Sequence, residues 1–253
     1  MPPIAMLALA WLALAPPAAR ADDLANACRA SSSYDLTIAP NALIFDRAAP
    51  APRRIDLHAG KASLDGVALR SNAEDADRLA LFEQDVRALM PKAKAVATNG
   101  IDLLGKAVHV EAIGLGLGTQ TQAELDARLA AHIGEFKRRI AASTSTHDWQ
   151  GDALDHYAAE ITADVAPLVA ADLGAQAVDA AVGGDLERAA SLRERAATLA
   201  SGDLPARLEA RLQALRPQIL ALCPSIRRLY ELQRGVRDAN GRPLDLLEVD
   251  AAR

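Results

Sequence analysis

The sequence predicts an α+β fold in which a small N-terminal antiparallel β-meander precedes a larger α-helical region. Apolar and polar residues alternate across residues 34–70, as in half-buried strands, whereas apolar residues recur at helical spacing across residues 71–237. The chain is also rich in alanine and has only 3% aromatic residues, a composition typical of closely packed helices. We therefore expect residues 22–253 to form one domain, with residues 238–253 as a tail or a strand that returns to the meander.

The start of the chain has the pattern of a signal peptide, residues 1–21. Residues 4–15 form an apolar run too short to span a bilayer, and Ala19-Arg20-Ala21 fits a signal-peptidase site, although no Lys or Arg precedes the run. Removal of residues 1–21 takes away one Arg and no acidic residue, so the net charge changes from −5 to −6. No later stretch contains the roughly 18 to 20 uninterrupted apolar residues of a transmembrane helix. We expect a soluble, exported protein without a transmembrane segment.

The predicted meander contains about four strands. Alternation is clear in YDLTI, residues 34–38, and again in RRIDLHAG, residues 53–60. Asp65-Gly66 lies between short apolar pairs and indicates a two-residue hairpin turn, because a type I′ turn needs positive φ at both central positions. The sequence AAPAP, residues 48–52, indicates a loop within the sheet.

The helical region has recognisable starts and stops. Ser71 to Glu74 and Thr121 to Glu124 have the spacing of capping boxes, and each precedes a stripe of apolar residues. Pro91 is expected to restart or kink the first helix. GLGLG, residues 114–118, lacks the strand and the glycine spacing of a dinucleotide-binding loop, so it indicates a turn between helices.

Cys28 and Cys223 are the two cysteines of the chain. Lipid attachment at Cys28 is disfavoured, because Arg20, Asp22 and Asp23 separate it from the apolar run. An exported chain with two cysteines most simply pairs them, whereas two buried thiols would be expected if the protein were not exported. No CxxC motif is present, which disfavours a thiol-disulfide oxidoreductase.

One polar cluster, in HDWQGDALDHYAAE, carries side chains suited to a metal. Asp152, His156 and Glu160 would lie on one helical face, where they could bind a metal or act as general acid and base. An exposed His–Glu pair near a helix start explains the same pattern, since acidic residues there are stabilised by the helix dipole. We therefore expect no metal and no cofactor, and keep these three residues as candidates.

One helix near the C terminus is locally basic. Arg227, Arg228 and Arg234 lie in SIRRLYELQRGVR, and they could dock an acidic partner or a membrane surface. Glu231 lies on the same segment, and cations near a helix end also stabilise the helix dipole. The chain has no basic stripe with interleaved aromatic residues, so nucleic acid is not an expected partner.

Several segments together resemble a known family. In order they are an early Cys, YDLTIAPNALIF, an LDG hairpin, RLALFEQDVRALMP and a late CPSIRRLYELQ. The chain in this respect resembles the YggN-like family of uncharacterised proteobacterial periplasmic proteins. The resemblance implies a periplasmic setting and no established activity, and it favours the pairing of Cys28 with Cys223. It supplies no functional residues.

Two functions of different classes are compatible with these patterns. The first is a non-enzymatic binding or scaffold protein of the cell envelope, whose helical part presents a groove or interface to an envelope protein or a small ligand. The second is a metal-assisted hydrolase that uses Asp152, His156 and Glu160. We favour the first, because no catalytic motif is found and long capped amphipathic helices are predicted.

Overall fold

The α+β class predicted from the sequence is confirmed, with a sheet near the N terminus followed by a mostly helical region. The computed structural model describes residues 27–149, 151–200, 211–238 and 241–249. The predicted signal peptide lies outside the described residues, as does the end of the predicted tail, residues 250–253.

The meander has five strands within residues 35–68, where about four were predicted. They are antiparallel and neighbours in space in chain order: β2 (Asp35–Ile38), β3 (Leu43–Asp46), β4 (Arg54–His58), β5 (Lys61–Leu64) and β6 (Val67–Ala68). The register pairs Leu43 with Leu57 and Phe45 with Ile55, and all four side chains are buried on one face. The predicted alternation therefore places one apolar face of the sheet toward the core.

That core lies between the sheet, the first half of a long helix and the C-terminal segment. The helix is α1 (Ala73–Leu115), which covers the sheet with Leu79, Phe82 and Val86. Four residues from near the C terminus complete the same cluster: Leu229, Val236, Leu244 and Leu246. The strands and the first half of α1 thus form the two layers of an α+β unit, here called the head. Residues near the end of the chain complete its core.

Helix α1 differs from its prediction at both its start and its middle. Asn72 is the N-cap, since its side chain accepts a hydrogen bond from the backbone N–H of Asp75; the predicted cap was Ser71. Pro91 was expected to restart or kink the helix; the helix does not restart there but continues through it. At 43 residues it is about 65 Å long, and it ends at Gly116, whose φ of 70° closes the predicted turn.

Three further helices share a hydrophobic core with the distal end of α1. They are α2 (Thr119–Ala142), α3 (Gly151–Val182) and α4 (Leu186–Ala200). Their shared core is separate from the core of the head and consists of these buried residues: Ala112, Leu117, Leu125, Leu129, Val169, Leu173 and Leu192. The molecule therefore has a head and a helical arm, joined by α1.

Asp172 of α3 caps the N terminus of α2 from outside that helix. Its carboxylate accepts hydrogen bonds from the backbone N–H of Gly118 at 3.0 Å and from the Thr121 hydroxyl at 2.8 Å. The amide of Gln176 donates a third, at 2.6 Å. Thr121 was predicted to be the N-cap of α2, but it lies inside the first turn of the helix, and its hydroxyl donates to the Asp172 carboxylate.

The Asp172→Asn variant is expected to lose stability at neutral pH. Partial burial raises the pKa of Asp172, but its three hydrogen bonds together outweigh this and hold the pKa below its usual value. Its folded pKa is therefore below its unfolded pKa, so its stabilisation is present above the unfolded pKa and is lost as pH falls through the folded value. The loss of a cap costs about 1 kcal/mol. Urea unfolding at a series of pH values should show the two proteins converging at low pH.

Asp179→Asn is the matched control for this prediction, since Asp179 is an exposed carboxylate on the same helix. Its unfolding free energy should follow that of the wild type within a few tenths of a kcal/mol. A difference between Asp172→Asn and wild type that stays constant down to pH 2 would contradict the assignment of the cap to the ionised carboxylate.

The C-terminal part of the chain returns to the head. Helices α5 (Arg216–Leu220) and α6 (Cys223–Gln233) each have a proline in the first turn, where the missing N–H costs nothing. A disulfide joins Cys28 to Cys223 at the start of α6. Strand β7 (Glu248–Val249) then pairs with β1 (Ala30–Ser31) in a separate two-stranded sheet. Of the two alternatives predicted for the end of the chain, a tail or a strand returning to the meander, the described residues thus form a strand, but one that pairs outside the meander.

Candidate functional site

The predicted metal-binding face is an exposed helical surface. His156 Nε2 lies 3.3 Å from Glu160 Oε1, and the His156 side chain is 76% exposed. Asp152 belongs to α3, but its side chain lies outside the described residues. Within the described part of the chain, no three His, Cys, Asp or Glu side chains are grouped so as to hold a metal ion. The described contact is that of an ordinary i, i+4 ion pair.

The three predicted partner-binding arginines have different surroundings. Arg228 Nε lies 2.6 Å from Asp85 Oδ2, so this pair connects α6 to α1. Arg227 is exposed at the surface of α6. Arg234 follows α6 and lies 3.7 Å from Glu231 in a pair whose two side chains are largely exposed, which contributes little energy. All three arginines are exposed, and Arg228 differs from the other two in its ion pair with α1.

Arg234 borders a small cavity at the end of α6. The cavity has a volume of about 200 Å³, and its walls come from the last turn of α6 and from the segment that returns toward β7. The lining residues are Tyr230, Gln233, Arg234, Arg237, Pro243 and Asp245. Two arginines and one aspartate thus line one concave surface.

The walls of this cavity are fixed by buried neighbours. Gln233 is only 2% exposed, and its side-chain amide both donates to the carbonyl oxygen of Leu247 and accepts from the backbone N–H of Leu247. The side chains of Val236 and Leu246 are completely buried in the head. Because packing and hydrogen bonds hold both walls, the cavity is formed before any ligand binds.

A second surface of interest is the uncovered side of α3. Four residues along one face are exposed and uncharged: Ala166, Ala170, Gly174 and Val178. Near the end of the arm Val178, Val182 and Leu186 are 61%, 84% and 70% exposed. Large side chains with such exposure in neighbouring turns are uncommon on the surface of a monomer unless they contact something else.

By length and composition, the segment His156–Val182 of α3 could cross a membrane, with a mean hydropathy of 1.4. Only 11% of its most apolar window is buried. One such helix is weak evidence of a membrane span.

Within this segment, the Asp164 carboxylate contacts two side chains of α2. His132 Nε2 lies 3.0 Å from Asp164 Oδ2, and Arg128 Nη1 lies 2.8 Å from Asp164 Oδ1. The hydrogen bond from His132, with the nearby Arg128 charge, holds the pKa of Asp164 below its usual value.

Comparison with known families gives a match over most of the chain. A family model described as "Protein of unknown function (DUF2884)" matches residues 28–241. The chain belongs to the DUF2884 family. Searches of curated proteins and of solved structures gave no significant match.

The matched region of this DUF2884 protein contains both disulfide cysteines, the five-stranded sheet and helices α1 to α6. Disulfides form and persist mainly in oxidising compartments, so the Cys28–Cys223 bond favours an extracytoplasmic location. The family description names no activity, and the functional argument therefore depends on the two surfaces described above.

Sequence reasoning found only part of the cavity of this DUF2884 protein. It selected Arg234 but not Tyr230, Gln233, Arg237 or Asp245. Arg237 was within the basic segment and carried a usable signal, since it lies three residues after Arg234. Asp245 carried none, because only the return of the chain over the head brings it to α6.

Proposed function

We propose that this DUF2884 protein is a non-enzymatic binding or scaffold protein of the periplasm that docks another envelope protein along the uncovered face of α3. The observation that carries the proposal is the exposure of that helix: its most apolar window of 18 residues is only 11% buried. An apolar helical face is normally buried against another element, so one left uncovered is a natural contact surface.

The chemistry of the face indicates what the partner presents. Ala166, Ala170 and Gly174 are spaced by four residues and have little or no side chain, so another helix can approach closely. Val178 and Val182 extend the same row toward the end of the arm and supply larger apolar contacts. The fitting partner is therefore a protein helix with large apolar residues along one side, which would fill the shallow surface between the small residues.

Two observations support the periplasm as the compartment. The disulfide between Cys28 and Cys223 favours an oxidising environment, and residues 1–21 have the composition of a signal peptide. The resemblance to the YggN-like family adds the same expectation, and the family match over residues 28–241 is compatible with it. The periplasmic setting is thus part of the proposal.

Photo-crosslinking in intact cells tests the docking surface. A photoreactive amino acid at Ala170 or at Val178 should give a discrete adduct with one envelope protein, whereas the same group at Arg138, which is exposed on α2, should not. Peptide mapping of the adduct should locate the contact on an apolar helix of that protein.

A charged substitution provides the second arm of this test. Ala166→Arg should abolish the adduct formed from Val178, since a buried arginine without a partner is costly at an apolar contact, while the circular dichroism spectrum stays unchanged. Adducts only with lipid, only with a second copy of the chain, or equally at all three positions would each overturn the proposed helical protein partner.

A further inference from the structure

We propose that the cavity at the end of α6 binds a small zwitterion of α-amino-acid size, with its carboxylate at Arg234 and Arg237 and its ammonium group at Asp245. This inference goes beyond docking on α3 and does not depend on it. It rests on three features of the cavity: the two guanidinium groups, the placement of Asp245, and the volume.

Arg234 and Arg237, the two arginines of the cavity, can bind a carboxylate. Arg237 Nη1 donates to the carbonyl oxygen of Gly241 at 2.9 Å, which orients the guanidinium group while leaving its other N–H groups available. Arg234 has only a weak, exposed contact with Glu231, at 3.7 Å. Guanidinium groups bind carboxylates through paired, charge-assisted hydrogen bonds, which are among the stronger polar contacts in proteins.

Asp245, the acidic residue of the cavity, has an unusual backbone conformation. Asp245 has a φ of 46°, in the left-handed region that residues other than glycine seldom adopt. Its neighbours Leu244 and Leu246 are 4% and 0% exposed, so their burial in the head holds the backbone there while Asp245 itself stays exposed beside the cavity. Backbone strain that buried neighbours maintain is frequent at binding sites, where it positions a functional group.

A simple anion would bind poorly among these three charged side chains. A phosphate or acetate ion would meet the two arginines but would also be repelled by the Asp245 carboxylate. A ligand that carries both charges on adjacent groups satisfies all three side chains. The phenol of Tyr230 adds a further hydrogen-bonding group to the wall.

The volume sets an upper limit on the ligand. A cavity of about 200 Å³ corresponds to about seven water-sized groups, since a water molecule occupies about 30 Å³ in the liquid. A free amino acid with a short side chain has a similar number of non-hydrogen atoms. Larger ligands would have to extend out of the cavity into solvent.

Isothermal titration of the full-length mature protein tests the proposal directly. Glycine, L-alanine, L-serine and L-valine are titrated separately, with acetate and ethylammonium as ligands that carry only one of the two charges. At least one amino acid should bind with saturation, and each single-charge ligand should bind about tenfold more weakly or worse, since it lacks one of the two sets of charge-assisted hydrogen bonds.

Variants assign the two charged sides of the cavity. Arg234→Gln and Asp245→Asn should each weaken amino-acid binding about tenfold or more, and asparagine tolerates the positive φ of this position. Arg216→Gln, at an exposed arginine of α5, is the control and should bind as the wild type does.

Three outcomes would overturn the proposal. The first is no saturable binding of any of the four amino acids. The second is binding of acetate as tight as that of the best amino acid, which would indicate a simple anion site. The third is unchanged or tighter binding by Asp245→Asn, which would exclude an ammonium contact at that carboxylate.

Discussion

Removal of the disulfide is expected to lower the free energy of unfolding by as much as about 5 kcal/mol. The bond joins Cys28 and Cys223 across 195 positions, so in the reduced protein the unfolded chain gains the freedom of a very long loop. Removal of a native disulfide typically lowers the free energy of unfolding by about 2–5 kcal/mol. Urea unfolding of the Cys28→Ala/Cys223→Ala variant, without reductant, gives the value.

The wild-type protein in reductant is the control for this experiment. Its unfolding midpoint should fall to that of the double alanine variant, while reductant should leave the variant itself unchanged. The described part of the chain contains no free cysteine that could form a different bond. Equal stability of oxidised wild type and variant would show that the head is held closed without the disulfide.

Truncation of Phe82 is expected to cost about 3–5 kcal/mol, the range for a fully buried phenylalanine. Phe82 is 1% exposed and is the largest of the fully buried side chains, at the point where α1 crosses the sheet. Its ring centroid lies 6.2 Å from that of Phe45 on β3. The Phe82→Ala variant would therefore leave a cavity between the two layers of the head, and chemical unfolding would measure the loss.

Leu81→Ala is the matched control, because Leu81 is the preceding residue of the same helix and is 42% exposed. Its cost should stay below about 1 kcal/mol, since no cavity is created. If Phe82→Ala proves too unstable to purify, Phe82→Leu should show a smaller loss in the same direction. Equal losses for Phe82→Ala and Leu81→Ala would contradict the packing described for α1.

The local pattern of the sequence predicted the elements of the head well. Alternation in residues 53–60 placed Ile55 and Leu57 on one face of a strand, and both are buried, because side-chain direction in a strand has a period of two. The apolar spacing of Leu79, Phe82 and Val86 similarly gave the buried face of α1. Such patterns depend on near neighbours in the chain and can therefore be found without a structure.

Features set by distant contacts were missed or misplaced. Pro91 was expected to restart or kink α1, and the helix does not restart there: it continues from the buried Val86 to the buried Gly100. The cap of α2 is supplied by Asp172, on a different helix, and a motif search within the segment cannot find it. The cavity itself was not predicted for the same reason: of its lining residues only Arg234 was selected, as a candidate for partner docking, and Asp245 reaches the cavity through tertiary packing.

Helix α1 belongs to two hydrophobic cores, and this has a consequence for how the native protein opens. No residue of α1 between Val86 and Gly100 is fully buried, although Leu89 packs against the core of the head, so the middle of the helix is less tightly packed than its two ends. The head and the arm can therefore behave as two cooperative units, each of which melts only its own end of α1. Amide hydrogen exchange would then show two levels of protection along this one helix, with the boundary near its middle.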